Sequence, residues 1–214
     1  MNFDPLAPWY LTLETIAFGS ALQRCRIALL DQVTTPRRAL IVGEGNGRFL
    51  CELLRRHPGV EVDCVDASER MLRLARERVE DVLGEGATNV QWLHHDITVW
   101  NPLEDCYDLV VTHFVLDCFA ASTLQAVVRK LSRAATQEAN WLVADFSIPE
   151  SRIARLRAQV WLAVMYRFFR LTTGIEAKQL VDATPLMIQG GFVRARHRML
   201  LSGILKSELW RRPF

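Results

Sequence analysis

Three glycines at alternate positions after a short apolar run are the feature that most limits how this chain can fold. Residues 39–48 read Ala-Leu-Ile-Val-Gly-Glu-Gly-Asn-Gly-Arg, and a helical pattern follows as far as His57. A second apolar segment ends at Asp66, nineteen residues after Gly47. A strand, a glycine loop, a helix and a second strand ending in an acid form the first half of a nucleoside-binding α/β unit. Because that acid can accept two hydrogen bonds from a ribose diol, we expect a nucleoside-containing cofactor.

The rest of the chain alternates between strand and helix patterns. The hydrophobic periodicity predicts strands at 38–43, 60–65, 89–94, 107–113 and 140–146, and helices at 47–57, 68–83 and 120–134. Strands separated by helices pair in parallel through right-handed crossovers. We also expect one or two helices over 9–31 with a break at Gly19, and two final strands at about 193–201 and 204–210.

Composition narrows the class of protein. The 214 residues suffice for one α/β domain, and a net charge of +2 gives no strong electrostatic signature of nucleic-acid binding. The five cysteines are scattered and odd in number, so neither a disulfide framework nor a metal site is expected. The chain shows no secretory signal and no apolar stretch of about 18 residues that could span a bilayer. These features predict a cytoplasmic protein.

The glycine spacing separates two cofactor classes. Dinucleotide-binding folds usually show G-x-G-x-x-G, whereas this loop is G-x-G-x-G. With the segments that follow it, the loop resembles the class I S-adenosylmethionine-dependent methyltransferases over roughly residues 37–212. The segments that carry the resemblance are 65–71 with its acid and methionine, 90–97 with its Asp, 107–114, 141–146, and Gly190-Gly191-Phe192 before the final strands.

The resemblance implies an α/β, Rossmann-like, doubly wound fold. It implies a mostly parallel seven-stranded sheet with an antiparallel last strand, N-terminal helices and a helical insertion after strand five. The corresponding parts are an N-terminal cap (1–36), a cofactor-binding core (37–148), an insertion (149–185) and the C-terminal strands (186–214). It implies S-adenosylmethionine as cofactor and S-adenosylhomocysteine as product. The implied cofactor-binding residues are Gly43, Glu44, Gly45, Asn46, Gly47, Asp66, Ala67, Met71, Asp96, Ile97 and His113.

One position departs from the family pattern. The family usually has an acid two residues before the first glycine, where this chain has Ile41. Glu44, inside the loop, is a candidate replacement that would face the ammonium group of the cofactor. The alternative is that Glu44 is a solvated loop residue.

Three side chains near the ends of strands four and five are candidate catalytic groups. His113 directly follows the fourth strand, where the family places residues that face substrate or cofactor. Asp117 and Asp145 are the other candidate bases. Asp117 could instead cap the helix that begins near Ala120, and Asp145 could bond to backbone after strand five. Whether a base is needed at all depends on the acidity of the acceptor.

The segment 150–171 is apolar nearly all round from Val160 to Met165 and is flanked by arginines. Three interpretations stay open: core packing against the sheet, a lid over an apolar or aromatic substrate, or a helix at a membrane interface through 152–171. Tyr10 and Tyr166 are the candidate substrate-side residues.

The expected acceptor is a small molecule methylated on oxygen or carbon. Strand four ends in Thr112-His113-Phe114-Val115, without the Asn/Asp-Pro-Pro motif that many base- and glutamine-methylating enzymes carry. Two alternatives are a non-catalytic cofactor-binding or accessory subunit of the same fold and a nicotinamide-dependent oxidoreductase. The sequence is also compatible with a homodimer.

Overall fold

The computed structural model describes most of the core and only part of the predicted insertion. The described residues are 18–84, 89–149, 151, 155–156, 159–160, 167, 170, 172, 175, 177 and 179–213. The first seventeen residues of the predicted cap and most of segment 150–171 therefore lie outside them. The division into four parts stays a prediction.

The described elements alternate as the periodicity predicts. In chain order they are α1 Ala21–Ile27, β1 Arg38–Val42, α2 Arg48–Arg56, β2 Glu61–Asp66, α3 Glu69–Leu83, β3 Val90–His94, β4 Tyr107–His113, α4 Ala121–Ala134, β5 Ala135–Phe146, α5 Thr184–Gln189, β6 Val193–Leu200 and β7 Leu205–Arg211. The predicted ends of β1, β2, β3, β4 and the last two strands agree to within about two residues. Gly19, the expected helix break, has a φ of 57° and lies just before α1.

The strands form one sheet in the order β3-β2-β1-β4-β5-β7-β6. The first five pair in parallel, and β7 is antiparallel to both of its neighbours, β5 and β6. This topology confirms the Rossmann-like, mostly parallel sheet with an antiparallel last strand. The chain leaves β1 towards β2 on one side and reaches β4 on the other, so a crevice opens above the carboxyl end of β1.

Alternate residues of β1 serve the two faces of the sheet. Leu40 and Val42 belong to a buried cluster with Leu124 of α4. Ile41 belongs to the opposite cluster with Phe49 of α2. Because both faces are covered, the strand is apolar from Ala39 onwards rather than alternating with polar residues. Ile41, which replaces the usual acid of the family, is therefore a core residue that is only 1% exposed.

The start of β5 differs from the prediction. The strand begins at Ala135, directly after α4, and not at residue 140. Ala135 pairs with Tyr107, and the register then shifts before Leu109 pairs with Asn140. The segment Ala135-Thr-Gln-Glu-Ala has no clear strand pattern, because its extra residues fall in this irregularity instead of alternating between core and solvent.

The last strands of the sheet end in an exposed edge. Among the described strands, β6 is the outer one on this side of the sheet and β3 on the other, and Arg194, Arg196 and Arg198 along β6 are exposed. The pairing of β6 with β7 shifts register between Arg194 and Arg196.

In the described part of the chain, no helix has the length and apolar character needed to cross a membrane.

Gly47 allows α2 and α3 to pack closely. It has a φ of 81°, and a Cβ atom there would lie 2.8 Å from the Ala75 carbonyl oxygen and 2.9 Å from its Cα. Gly45 has a similar φ of 73°, but a Cβ there would meet nothing within 4 Å. The two glycines therefore share the same backbone strain and differ in the space around them.

We expect Gly47→Ala to lower the free energy of unfolding more than Gly45→Ala does. Both changes place a Cβ in the left-handed region, which costs about 1–2 kcal/mol. Only Gly47→Ala also pushes against the α3 backbone, which adds roughly 1–3 kcal/mol. Urea unfolding of the two variants without cofactor measures the difference. Equal losses in the two variants would contradict the packing role of Gly47.

Candidate cofactor and active site

A cleft lies at the carboxyl ends of the central strands, where the sheet order reverses. It is lined by nine of the residues predicted to bind the cofactor, and these are Gly43, Glu44, Gly45, Asp66, Ala67, Met71, Asp96, Ile97 and His113. Residues far apart in sequence thus meet around one cavity. Asn46 and Gly47, the other two predicted residues, are buried but do not line it. The Asn46 carbonyl instead accepts a hydrogen bond from Arg78 Nε at 2.6 Å.

Asp66, at the end of β2, is held against the glycine loop. Its Oδ1 accepts a hydrogen bond from the Ser68 amide at 2.9 Å, and its Oδ2 accepts one from the Gly45 amide at 3.4 Å. The Gly43 amide donates to the Val65 carbonyl at 2.8 Å. These bonds fix the acid beside the loop, at the position from which it could hold a ribose diol.

The turn after β3 forms the opposite wall. Asp96 Oδ1 accepts hydrogen bonds from the Thr98 amide at 2.8 Å and from the Thr98 hydroxyl at 2.7 Å. The exposed ring of His95 lines the cleft and stacks on Trp100, with ring centroids 5.6 Å apart and planes 9° from parallel. Together with buried Met71 and Ile97, these side chains make a slot suited to a planar base.

Glu44 is buried and caps a helix. Its Oε1 accepts hydrogen bonds from the amides of Phe49 and Leu50 at 3.0 Å each, in the first turn of α2. Burial raises the pKa of the carboxyl from 4.5 to about 7, although these hydrogen bonds and the charge of Arg26 act in the opposite direction. The interpretation of Glu44 as a solvated loop residue is therefore wrong, since only 7% of the residue is exposed. Its role towards the ammonium group stays a prediction.

Arg26 is a cleft residue that the sequence did not indicate. It comes from α1, is 5% exposed and lines the same cleft as Glu44 and His113. Its guanidinium carbon lies 5.3 Å from the centroid of the Phe114 ring. In the sequence it is one of two arginines in a short helix, and only the packing of α1 against the sheet distinguishes it. A buried guanidinium in this wall can bind a carboxylate.

His113 lies at the end of β4 with its ring in the cleft wall. Burial, with a smaller contribution from Arg26, lowers its pKa well below the ordinary value of 6.5. Its ring meets Phe49 edge-on at a centroid distance of 4.5 Å. Within the described part of the chain, Nδ1 has no hydrogen-bond partner. The imidazole is therefore neutral at physiological pH and able to accept a proton or a hydrogen bond.

Asp117 and Asp145 are buried next to each other and outside the cleft wall. Because two carboxylates this close together in a buried place repel each other, the protonated form of Asp145 is favoured. Burial and the proximity of Asp117 raise the pKa of Asp145 well above 3.8. Asp117 is not the N-cap residue of α4, because that position is taken by Ala120. Asp145 Oδ1 does accept a backbone hydrogen bond, from the Phe146 amide at 2.8 Å.

Residues just after β4 complete the cleft, and sequence reasoning missed them. They are Phe114, Val115, Cys118 and Phe119. Phe114 has a φ of 57°, which is rare for a bulky side chain and is found mainly where function imposes it. The position directly after His113 was the available signal, but the conformation was not readable from the sequence. Tyr10 and Tyr166, the predicted substrate-side residues, lie outside the described residues.

Comparison with known proteins agrees with this geometry. Residues 39–138 match the family model described as a methyltransferase domain. No curated protein sequence matches the chain. Among solved structures, mitomycin 7-O-methyltransferase is 17% identical with a TM-score of 0.71, covering 100% of this chain and 61% of its own. The magnesium protoporphyrin IX methyltransferase of Synechocystis, solved with bound S-adenosylhomocysteine, is 20% identical with a TM-score of 0.64, covering 90% and 82%.

A third similar structure is a candidate O-methyltransferase from Nostoc punctiforme, with 20% identity and a TM-score of 0.68 over 90% of this chain. The chain spans 56% of that protein and 61% of the mitomycin enzyme. At these identities the likeness concerns the fold. The matched model covers a little under half of the chain, and it agrees with the sheet order and with the residues gathered around the cleft. These findings support a class I methyltransferase fold with S-adenosylmethionine as cofactor.

Proposed function

We propose that this protein transfers a methyl group from S-adenosylmethionine to an oxygen or carbon atom of a small apolar or aromatic molecule. The observation that carries the proposal is the single cleft that joins Asp66 and Asp96 at one end to His113 and two phenylalanines at the other. Phe114 and Phe119 give the second end an apolar wall. Such a wall favours an acceptor with an apolar or aromatic body.

Each wall residue has a chemical role in this proposal. Asp66 accepts hydrogen bonds from the ribose, and Asp96 accepts one from the adenine amino group. Glu44 and Arg26 face the ammonium and carboxylate groups of the amino-acid part. When bound, the cofactor supplies an electrophilic methyl group, and these residues orient it for in-line attack. Positioning of this kind can supply much of the rate acceleration.

His113 is the proposed group that faces the acceptor. A neutral imidazole can accept the proton of a hydroxyl group or orient it by a hydrogen bond. Its lowered pKa makes it a weak base, which suits an acceptor that is already acidic, such as a phenol. Asp117 and Asp145 are buried together and do not line the cleft, so we propose a structural role for this pair.

Two of the similar structures support a small acceptor by their names, which specify a mitomycin and magnesium protoporphyrin IX.

We further propose a cytoplasmic location, supported by five cysteines that are all free. The proposed homodimer and the membrane contact through 152–171 involve segments that are largely outside the described residues, and they stay proposals from the sequence.

Calorimetric titration with S-adenosylhomocysteine and S-adenosylmethionine tests the cofactor pocket, with NAD and NADP as controls. We expect micromolar binding of the sulfur nucleosides, and a loss of about tenfold or more in Asp66→Ala, which removes hydrogen bonds to the ribose from a charged group. A methyl-acceptor screen on phenols and related molecules then tests turnover. Binding without turnover on any acceptor would favour the accessory-subunit alternative, and binding of NAD alone would contradict the proposal.

The pH dependence of cofactor binding tests the role of Glu44. The ionised carboxylate attracts the ammonium group, so affinity for S-adenosylhomocysteine should rise as the pH increases through about 7, the pKa of Glu44. Glu44→Gln keeps a carbonyl oxygen for the amides of Phe49 and Leu50 but carries no charge. We expect it to bind roughly tenfold more weakly at pH 8 and without this pH dependence. Identical pH profiles for the two proteins would reject the ammonium contact.

The stability of the fold against pH tests the acid pair. Because the folded-state pKa of Asp145 is raised, its contribution to stability is fully present below 3.8 and is lost as the pH rises towards the raised value. The free energy of unfolding should fall by up to about 1.4 kcal/mol per pH unit in that window. Asp145→Asn donates an amide N–H to Asp117 at every pH and should flatten the dependence. An unchanged slope in urea unfolding would show that the pair holds no proton.

A further inference from the structure

The turn that follows β3, residues 96–100, is a compact unit with its own hydrogen bonds. The amides of Val99 and Trp100 donate to the Asp96 carbonyl at 3.1 and 2.9 Å. The Asp96 side chain closes the same turn through Thr98. Two residues of the turn, Asp96 and Ile97, line the cleft. Three of its backbone carbonyl groups make contacts outside the cleft.

Those carbonyl groups converge on one ammonium group. Lys130 Nζ, from α4, donates to the carbonyl oxygens of Ile97 at 2.8 Å, Thr98 at 3.2 Å and Trp100 at 2.6 Å. An ammonium group has three N–H donors, and these three acceptors use them all. Lys130 is thirty or more residues away in sequence and does not line the cleft itself.

The charge of Lys130 suits this position. The C-terminal carbonyls of a helical turn carry partial negative charge, so a cation stabilises them. Burial lowers the pKa of Lys130, and the negative charge of Asp96 opposes that effect. A neutral side chain of the same length would leave the three carbonyls without this donor.

The same contacts reach both sides of the base slot. Through the Ile97 carbonyl, Lys130 holds the residue that packs in the slot next to Asp96. Through the Trp100 carbonyl, it holds the indole on which the His95 ring is stacked. The turn has no strand neighbour on that side within the described sheet, since β3 is its outer strand. Lys130 thus connects the turn to helix α4.

We propose that Lys130 is a positioning residue that sets the selectivity of the cleft for adenine, by holding the 96–100 turn so that the Asp96 carboxylate meets the amino group of the base. This inference rests on the adenine-binding role proposed for Asp96 above, and it does not depend on the methyl acceptor. Without the hydrogen bonds from Lys130, the turn can shift. The hydrogen bond to the amino group depends most on exact placement, so it is weakened first.

The test compares S-adenosylhomocysteine with its deaminated analogue, S-inosylhomocysteine, by calorimetry. The analogue has a carbonyl oxygen where adenine has an amino group, so it opposes the Asp96 carboxylate. We expect the wild-type protein to prefer the adenine compound by about tenfold or more, as for a hydrogen bond to a charged group. In Lys130→Met this preference should fall by at least about threefold, beyond any common loss of affinity for both ligands.

Arg212 provides a matched control. It too is a part-buried cation that donates to backbone carbonyls, here at the start of β5, including those of Ala135 at 2.8 Å and Thr136 at 3.2 Å. It does not line the cofactor cleft. Arg212→Met should therefore lower the melting temperature as Lys130→Met does, but leave the preference between the two ligands unchanged.

The variant Asp96→Asn tests the adenine-binding role of Asp96 separately from the positioning role of Lys130. We expect it to abolish the preference for adenine, and Lys130→Met added to Asp96→Asn should change the preference no further. If Asp96→Asn abolishes the preference and Lys130→Met leaves it intact, the positioning role of Lys130 is wrong while the role of Asp96 stands. If Asp96→Asn leaves the preference intact, or if Arg212→Met reduces it as much as Lys130→Met, the inference falls.

Discussion

The exit of the chain from β1 is the constraint on which the rest of the structure depends. At that point the strand must end, turn through three glycines with positive φ and begin α2, while the Gly43 amide stays bonded to the Val65 carbonyl of the neighbouring strand. Because β2 lies on one side of β1 and β4 on the other, the connections diverge and leave a crevice. Asp66 and His113 face each other across it because they end those two neighbouring strands. The strand order therefore determines where the site lies, and the side chains determine what it can bind.

Burial then decides the charge of the groups that face the crevice. Glu44 and His113 are ionisable groups of opposite type, and removal from water moves the pKa of each in the direction that favours its neutral form. The guanidinium of Arg26 keeps its charge under the same conditions, since arginine is not deprotonated in proteins. This end of the crevice consequently presents a positive guanidinium beside the Glu44 carboxyl, which is partly ionised near its pKa of about 7, and the pair suits the carboxylate and ammonium groups of the zwitterionic part of the cofactor.

The sequence predicted the strands, the loop and the acids, because each is encoded by neighbouring residues. The apolar runs that form β1, β2 and β4 and the spacing from Gly47 to Asp66 are local signals, and the structure agrees with them closely. The parts that were missed depend on contacts between distant segments. Arg26 enters the cleft only because α1 packs near β5 and β7. Asp117 meets Asp145 across 28 residues because two adjacent strands end together, and β5 begins early because of an irregular pairing with Tyr107.

The outer strand β6 affects whether molecules of the protein associate in concentrated solution. An unpaired strand edge offers backbone donors and acceptors to any other extended chain, and a second copy of this protein would bring an identical edge. Here that edge carries three exposed arginines and an irregular register. Arg194 is paired with Glu208, but Arg196 and Arg198 bring like charges to two such edges, so pairing of β6 with β6 is disfavoured. The charges along β6 thus protect this edge of the described sheet from pairing with another molecule.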